Sequence, residues 1–413
     1  MRHLRKARRH IHDSHKELPK GVRILAWARA VRWVGWGFGE ALIPVFILAF
    51  SKTFAEAGLI NSTVEIASLL ALPVIGMWAD RISAKKLILI SLLFYPLVGV
   101  SYFFAGAFGL AIFVVIARVA NGFTWELENI GIETYYRRTV DKSHVATSFG
   151  YVDTWAHVAW IGASLAGMVL VAFIPIYGLL FAIAPFSVIA YFLAVKAPAD
   201  LPKGKDENSA KKSTFLGSYG SAIAEWRTWN RHLQLLSALV LLSSMVNSLM
   251  YFFLPIDAYL DGANLPMVVL ITVFGSIPAL FGYKLGKLAD AGNKYSLISG
   301  GLVGIAAIAV GLIVFPQYWF KLVAIFLLGV ILELFYVIES SLVTTLGPRE
   351  TYGIRGSVFE GVVNFGDMSA PLILGVLFDV IGFSGTVGIL AGGAMAFAFA
   401  YAYASRIRKN PAA

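Results

Sequence analysis

Three groups of side chains in an otherwise apolar chain have types and spacings that can do chemistry. Arg29, Arg32, Trp36 and Glu40 follow three- and four-residue steps, so on a helix they share one face. Arg118, Trp125, Asn129 and Tyr136 form a second such face, with Gly122 and Glu133 beside it and Glu126 and Glu128 at its margins. Asp153 and His157 stand four apart, between Trp155 and Trp160. Burial and a neighbouring arginine pull the proton affinity of a carboxylate in opposite directions, so such a group can titrate over a physiological range. Glu40, Glu126 and Asp153 are the candidate acidic partners of Arg118. The competing reading of any one pair is a structural buried ion pair. His157 reads as a packed histidine rather than a proton relay.

The second half of the chain adds Asn247 and Tyr251, Glu333 and Tyr336, and Asn364 and Asp367 as polar and aromatic lining. Trp36, Trp125, Asn129 and His157 join them as substrate-cavity candidates. Asp257 and Asp261 read as solvated at the end of their segment, and Glu360 as a helix cap. Arg29 and Arg32 lie near the end of theirs, where a long side chain can reach the interface. No glycine loop followed by Lys-Ser/Thr is present to hold a nucleotide phosphate. No metal-ligand cluster lies within the apolar segments, and cysteine is absent. His10, His12 and His15 fall in a basic leader where nothing fixes a metal geometry. The expectation is a chain that is not an enzyme and needs no cofactor and no metal.

The elements that position these residues follow from composition. Hydrophobic residues make up 58% and charged residues 14%, with mean hydropathy +0.74, against about 25% charged in soluble domains. A bilayer is crossed by about 20 apolar residues as a helix. Twelve spans are expected: 24–50, 57–79, 86–106, 108–134, 148–173, 176–196, 232–259, 265–289, 295–315, 319–346, 357–380 and 384–405. The fold class is therefore all-α and integral to the membrane, with twelve transmembrane helices in two pseudo-symmetric six-helix bundles. Residues 1–23 form a basic tail, 24–196 the first bundle, 197–231 a linker, 232–405 the second bundle and 406–413 a second tail. Within the linker, Phe215, Tyr219, Ile223, Trp226 and Trp229 recur at helical spacing, which suits a helix lying in the interface. The loops that share a side with the N-terminus hold nearly all the Lys and Arg, while the opposite loops hold only Lys52 and Lys321. Both termini are therefore placed in the cytoplasm and the chain in the inner (cytoplasmic) membrane.

The halves repeat. Pro44 and Pro255, Glu128 and Glu339, Arg138 and Arg349, and Gly150 and Gly361 each lie 211 residues apart. Gly76 and Gly286, Ala79 and Ala289, and Asp80 and Asp290 lie 210 apart. Whole-bundle repeats are typical of secondary transporters.

The turn Gly76-x-x-Ala79-Asp80-Arg81 followed by Lys85-Lys86 resembles the signature loop of the major facilitator superfamily. Its second copy, Gly286 to Lys294, lies where that family repeats it. Arg118-Val-Ala-Asn-Gly122 resembles the Arg-x-x-x-Gly pattern frequent in proton-coupled members, and Gly37-Phe-Gly39 with Pro44 suits the family's first helix. Ser83 and Ala84 depart from the loop pattern, and the fifth span lacks the Gly-Pro pattern of many drug exporters. The resemblance implies a secondary transporter working by alternating access, with substrate near the midplane between the halves. It also implies a cytoplasmic gate built on Gly76, Asp80, Arg81, Lys85, Glu133 and Asp290. In that gate Asp80 meets Gly356 and Ser357, Asp290 meets Thr147 and Ser148, and Arg81 or Lys85 pairs with Glu133.

Together these readings give a monomeric carrier whose partners are a small organic solute, protons and the lipid bilayer, with no nucleic acid. Glu40, Arg118, Glu126 and Asp153 are expected to couple protons. The acidic excess at depth favours export of cationic or amphipathic compounds. The alternatives are uptake of a small polar metabolite or anion, with Arg118, Arg32 or Arg29 as ligand, and a non-transporting membrane scaffold or sensor.

Overall fold

The computed structural model describes residues 18–140, 145–200, 229, 231–345 and 352–409, and all regular structure among them is helical. The helices are α1 (Lys20–Gly37), α2 (Ile43–Leu48), α3 (Phe54–Arg81), α4 (Ala84–Phe108), α5 (Ala111–Thr139), α6 (Val145–Leu170), α7 (Ile176–Phe181) and α8 (Ile183–Val195). After the linker come α9 (Arg231–Ser248), α10 (Leu254–Leu260), α11 (Leu265–Ser276), α12 (Gly282–Ala291), α13 (Lys294–Val314), α14 (Tyr318–Thr345) and α15 (Tyr352–Lys409). Their ends fall within a few residues of the apolar runs in the sequence. The caps explain why. Ser83 accepts the Lys86 N–H at the start of α4, and Asn293 accepts those of Tyr295 and Ser296 at the start of α13. These two N-caps close the two charged turns and keep the 210-residue spacing of the repeat. Ser83, a departure from the family loop, thus has a structural task.

Eight helical segments among the described residues are long and apolar enough to cross a membrane, or nine if the bent pair Leu265–Phe281 and Lys284–Ala291 counts as one. The expected twelve is not established on that measure. One cause is polar content: the first 18 residues of α5 already hold Arg118, Glu126 and Glu128. Another is continuity. Residues 358–403 form a single apolar segment, although the chain breaks at Gly382, whose φ of 70° and ψ of −178° lie outside helical space. That conformation is essentially restricted to glycine.

The chain packs as two compact units, Met1–Glu40 with Leu70–Lys212, and Ala41–Leu69 with Ser213–Ala413. In the first unit, α1 and α6 approach until backbones touch. A Cβ on Gly37 would lie 2.6 Å from the Trp160 carbonyl oxygen, and one on Gly167 would lie 2.2 Å from that of Phe38. Small residues at such crossings permit the dispersion contacts that hold membrane helices together. Ile75, Ala79, Leu87 and Leu127 form an apolar core where α3, α4 and α5 meet.

In the second unit, the start of α3 lies against α15. The Asp379 carboxylate accepts the Phe54 and Ala55 N–H groups at 2.9 and 2.8 Å, satisfying free donors of an α-helical N-terminus. Phe378 stacks on Phe253 with centroids 4.6 Å apart. Lys321, only 1% exposed, bonds Asp257 at 2.7 Å and also Asp261. Those two carboxylates are therefore paired rather than simply solvated, because a buried ammonium requires countercharge.

Candidate functional site

The first unit brings the predicted charges together, with partners that cross between helices. Arg32 is buried at 1% exposure and its Nε lies 2.7 Å from Glu128 Oε2, itself 2% exposed. The approach is off the N–H axis, so the contact is an ion pair more than a linear hydrogen bond, and Nη2 has no acceptor. The guanidinium is instead enclosed by aromatic faces: Tyr95 at 4.6 Å, Trp33 at 5.4 Å and Trp125 at 5.8 Å. Arg32 does not reach for the interface as its position in the sequence suggests, because the ring cage and Glu128 meet its requirements inside. Trp36 belongs to the same packed region. It is 4% exposed and edge-on to Tyr95, so it is core rather than cavity lining.

One turn towards the N-terminus, Arg29 faces α5 and α6. Its guanidinium contacts Asn129 Oδ1 at 3.4 Å and Asp153 at 3.7 Å. Arg29, not Arg118, is thus the ion-pair partner of Asp153. The Asp153 side chain is 51% exposed while that of Arg29 is 11% exposed, so the pair presents a carboxylate outwards from a nearly buried base. The Trp125 ring lies 6.0 Å from the Arg29 guanidinium. Trp33 packs on both Trp125 and His157, and the His157 Nδ1 contacts the Asp153 carbonyl oxygen at 2.8 Å. His157 is accordingly held by its own helix turn and a ring neighbour. Arg29, Asn129, Asp153, His157 and Trp125 form one polar and aromatic face on this unit.

Glu40 accepts a hydrogen bond from Trp160 Nε1 at 2.5 Å and lies within electrostatic reach of Arg32 and Arg118. Arg118 also hydrogen-bonds the Tyr102 hydroxyl. Glu40 and Arg118 are therefore neighbours as expected, and Glu126 is buried.

The charged turn is anchored within this unit by a residue the sequence reading passed over. Asp200, its side chain fully covered, accepts the Ala84 and Lys85 N–H groups at 2.8 and 2.9 Å and pairs with Arg138 at 2.9 Å. Arg138 also donates to the Ala79 and Ile82 carbonyls. Lys85 Nζ donates to the carbonyls of Val195 and Ala197, and Glu133 pairs with Arg137 on its own helix. The expected Lys85–Glu133 pairing is absent because each has a nearer partner, and Arg81 is exposed. Burial disfavours the Asp200 carboxylate, but the two helix N–H groups and Arg138 outweigh it and hold its pKa below the usual carboxylate range. A carboxylate on a helix N-terminus is the geometry foreseen for Asp80. The available signal for Asp200 was its place between Pro198 and Pro202 just after an apolar span. The side chains of Asp80, Thr147 and Ser357 lie outside the described residues, as do the basic leader and the linker residues Phe215 to Trp226. Gly76 lies within α3 with open space around it, and Asp290 is exposed.

In the second unit, Tyr251 donates to the Gly275 carbonyl at 2.8 Å. Glu333 lies beside the start of α12, its Oε1 2.8 Å from where a Cβ on Gly282 would stand. Tyr336 is 67% exposed, Asn247 is exposed and Asn364 half-buried. Asp367 hydrogen-bonds Ser244. Glu339, noted in the sequence only as a repeat position, is 7% exposed and contacts the Ser243 hydroxyl at 3.4 Å.

Long apolar helices with glycine crossings and charged groups set inside them define a multi-pass membrane protein. Its sequence matches the Major Facilitator Superfamily over residues 25–315, and the chain belongs to that family of transporters. The structure is similar to the nucleoside transporter NupG in a substituted and an unsubstituted form, with TM-scores of 0.75 and 0.73 at 17% identity. Each alignment covers 93% of this chain, and 98% and 99% of the other. The human organic anion transporter MFSD10 aligns at TM-score 0.65 and 12% identity, over 93% of this chain and 100% of that one. The E. coli fucose:proton symporter FucP aligns at 0.62 and 15%, over 93% and 98%. No curated protein sequence matches this chain.

Proposed function

We propose that this chain is a proton-driven carrier that takes up a small, polar, ring-bearing solute by alternating access across the cytoplasmic membrane, with both termini in the cytoplasm. The observation that carries the solute class is the face made by Arg29, Asn129, Asp153 and His157 between the rings of Trp33 and Trp125. Hydroxyls or ring nitrogens of a solute can exchange hydrogen bonds with Arg29, Asn129 and Asp153, and its flat face can rest on the indoles. Export of cations rested on an acidic excess at depth. That excess is reduced once pairs are counted: Glu128 with Arg32 and Asp153 with Arg29. Glu40, tied to Trp160 and close to two arginines, reads as part of the packing. The names of the similar structures, a nucleoside transporter and a fucose:proton symporter, suggest the first probes.

The test is uptake into proteoliposomes of radiolabelled nucleosides and hexoses under an inward proton gradient. Accumulation of at least one is expected. Asp153→Asn and Asn129→Ala should raise its KM about tenfold, the loss of about 1.4 kcal/mol that one charge-assisted hydrogen bond represents. No accumulation of any of these, with gradient-driven extrusion of a cationic dye, would restore export as the reading.

A further inference from the structure

The repeat places a buried carboxyl at Glu128 in the first half and at Glu339 in the second, 211 residues apart. Their surroundings differ at one decisive position. The residue opposite Glu128 is Arg32, 2.7 Å away. The residue at the same 211-residue spacing from Arg32 is Ser243, and it is Ser243 that contacts Glu339, through a hydroxyl at 3.4 Å. The second half therefore keeps the geometry of the pair and lacks its cation. Two of the three rings around Arg32 are missing too: Tyr95 corresponds at the 210-residue spacing of that region to Ile305, and Trp33 at the 211-residue spacing to Ser244.

Nothing else described supplies the missing charge. Among the described residues, the groups that act electrostatically on Glu339 are Ser243, a second carboxyl, Asp367 on α15, and Tyr401. Asp367 is held by Ser244, the neighbour of Ser243. Tyr401 faces the same region and donates its hydroxyl to the Leu235 carbonyl, with Tyr295 of α13 against its ring. Lys294 of α13 is engaged by Ser341. An ionised carboxylate buried beside another carboxyl, with no countercharge among the described residues, carries a large penalty that a bound proton removes.

We propose that Glu339, with Asp367 beside it, is the carboxyl pair that takes up and releases the driving proton, and that Arg32–Glu128 is the fixed counterpart in the other half. This rests on the proton-driven reading above. Proton release would require a countercharge or water to reach Glu339, so the site can alternate between neutral and charged forms as its surroundings change.

The test needs no known solute. Infrared difference spectra of the purified full chain are recorded across a pH titration, following the carboxylic-acid C=O band. The wild type should show a band that disappears as pH rises. Glu339→Gln should lose it, Asp367→Asn should move its midpoint, and Ser243→Arg should abolish it by supplying the missing cation. Ser243→Ala, which removes only a hydroxyl, should keep the band and shift its frequency. Each variant is checked for a monodisperse, cooperatively melting protein. A titrating band of undiminished size in folded Glu339→Gln, or no titrating band in the wild type, overturns the assignment. If that occurs while gradient-driven uptake persists, the carrier reading stands and only this site falls. A Glu339 band in a chain that moves none of the probes would instead leave the site and sink the carrier reading.

Discussion

Removing one member of the Arg32–Glu128 pair should cost far more than removing both. The charges are 1% and 2% exposed and approach to 2.7 Å. With charge centres about 4 Å apart and an effective dielectric of about 20, their attraction is about 4 kcal/mol, a gain that burial of both ions largely cancels. Arg32→Met leaves Glu128 as an uncompensated buried carboxylate and should destabilise by about 3–5 kcal/mol. Glu128→Leu should cost less, because the faces of Tyr95, Trp33 and Trp125 still hold the guanidinium, worth about 2 kcal/mol when desolvated. The double variant should return to within about 1 kcal/mol of wild type, since apolar groups of similar volume replace a buried pair at little cost. The assay is a double-mutant cycle by reversible unfolding in mixed micelles, which yields the coupling energy directly. Additive single effects, with a coupling below about 1 kcal/mol, would refute the view that the two residues form one buried unit.

Two further variants test the supporting structure. Asp200→Asn should lower stability by about 2 kcal/mol at neutral pH through loss of charge-assisted bonds to α4 and Arg138, measured as a fall in melting midpoint. The folded-state pKa of Asp200 is depressed, so its contribution is complete above the unfolded value of about 3.9 and is lost as pH falls through the lower folded value. The wild-type advantage over Asp200→Asn should therefore be level from pH 7 to 5 and shrink only in stronger acid; an advantage that vanished between pH 7 and 5 would contradict the geometry. Gly58→Leu should disrupt the close packing of α3 on α15, because a Cβ there would stand 2.2 Å from the Pro371 carbonyl oxygen. A loss of about 1–3 kcal/mol is expected from overpacking, and an unchanged melting midpoint would show that these backbones do not meet.

The helices were legible because lipid demands long apolar runs with internally satisfied backbones. The faces of α1, α5 and α6 were legible too, since Arg29, Arg32, Asn129, Asp153 and His157 recur at helical steps. Which charge meets which was not. Helical spacing fixes angle around one axis but says nothing about which neighbouring helix lies against that face, so Arg118 of α5 is the expected partner of Asp153 while Arg29 of α1 is the one it meets. Asp200 was missed for another reason. It lies just past a span, where acidic residues usually dissolve in solvent, and its importance comes from the backbone of α4, which has no residue letter. Trp36 and Lys321 show the same limit in reverse: an indole on a charged face turned out to be core, and a lysine counted for topology is covered by two carboxylates.

The repeat turns these local pairings into an argument about how two halves divide labour. At the charged turns the residue type changes, Ser83 to Asn293, and the capping geometry is kept, so that position is under a structural demand both halves share. At the buried carboxyls the geometry is kept and the charge balance is not. Had the second pair been needed only for packing, a neutral residue in place of Glu339 would have spared the cost of a buried acid, since Ser243 offers a single hydroxyl in place of the guanidinium and rings around Arg32. A carboxyl retained without its arginine, beside a second carboxyl, is costly as a structural element and useful as a proton acceptor. The unequal treatment of Glu128 and Glu339 therefore points to a carboxyl paired with arginine in one half and a carboxyl open to protonation in the other.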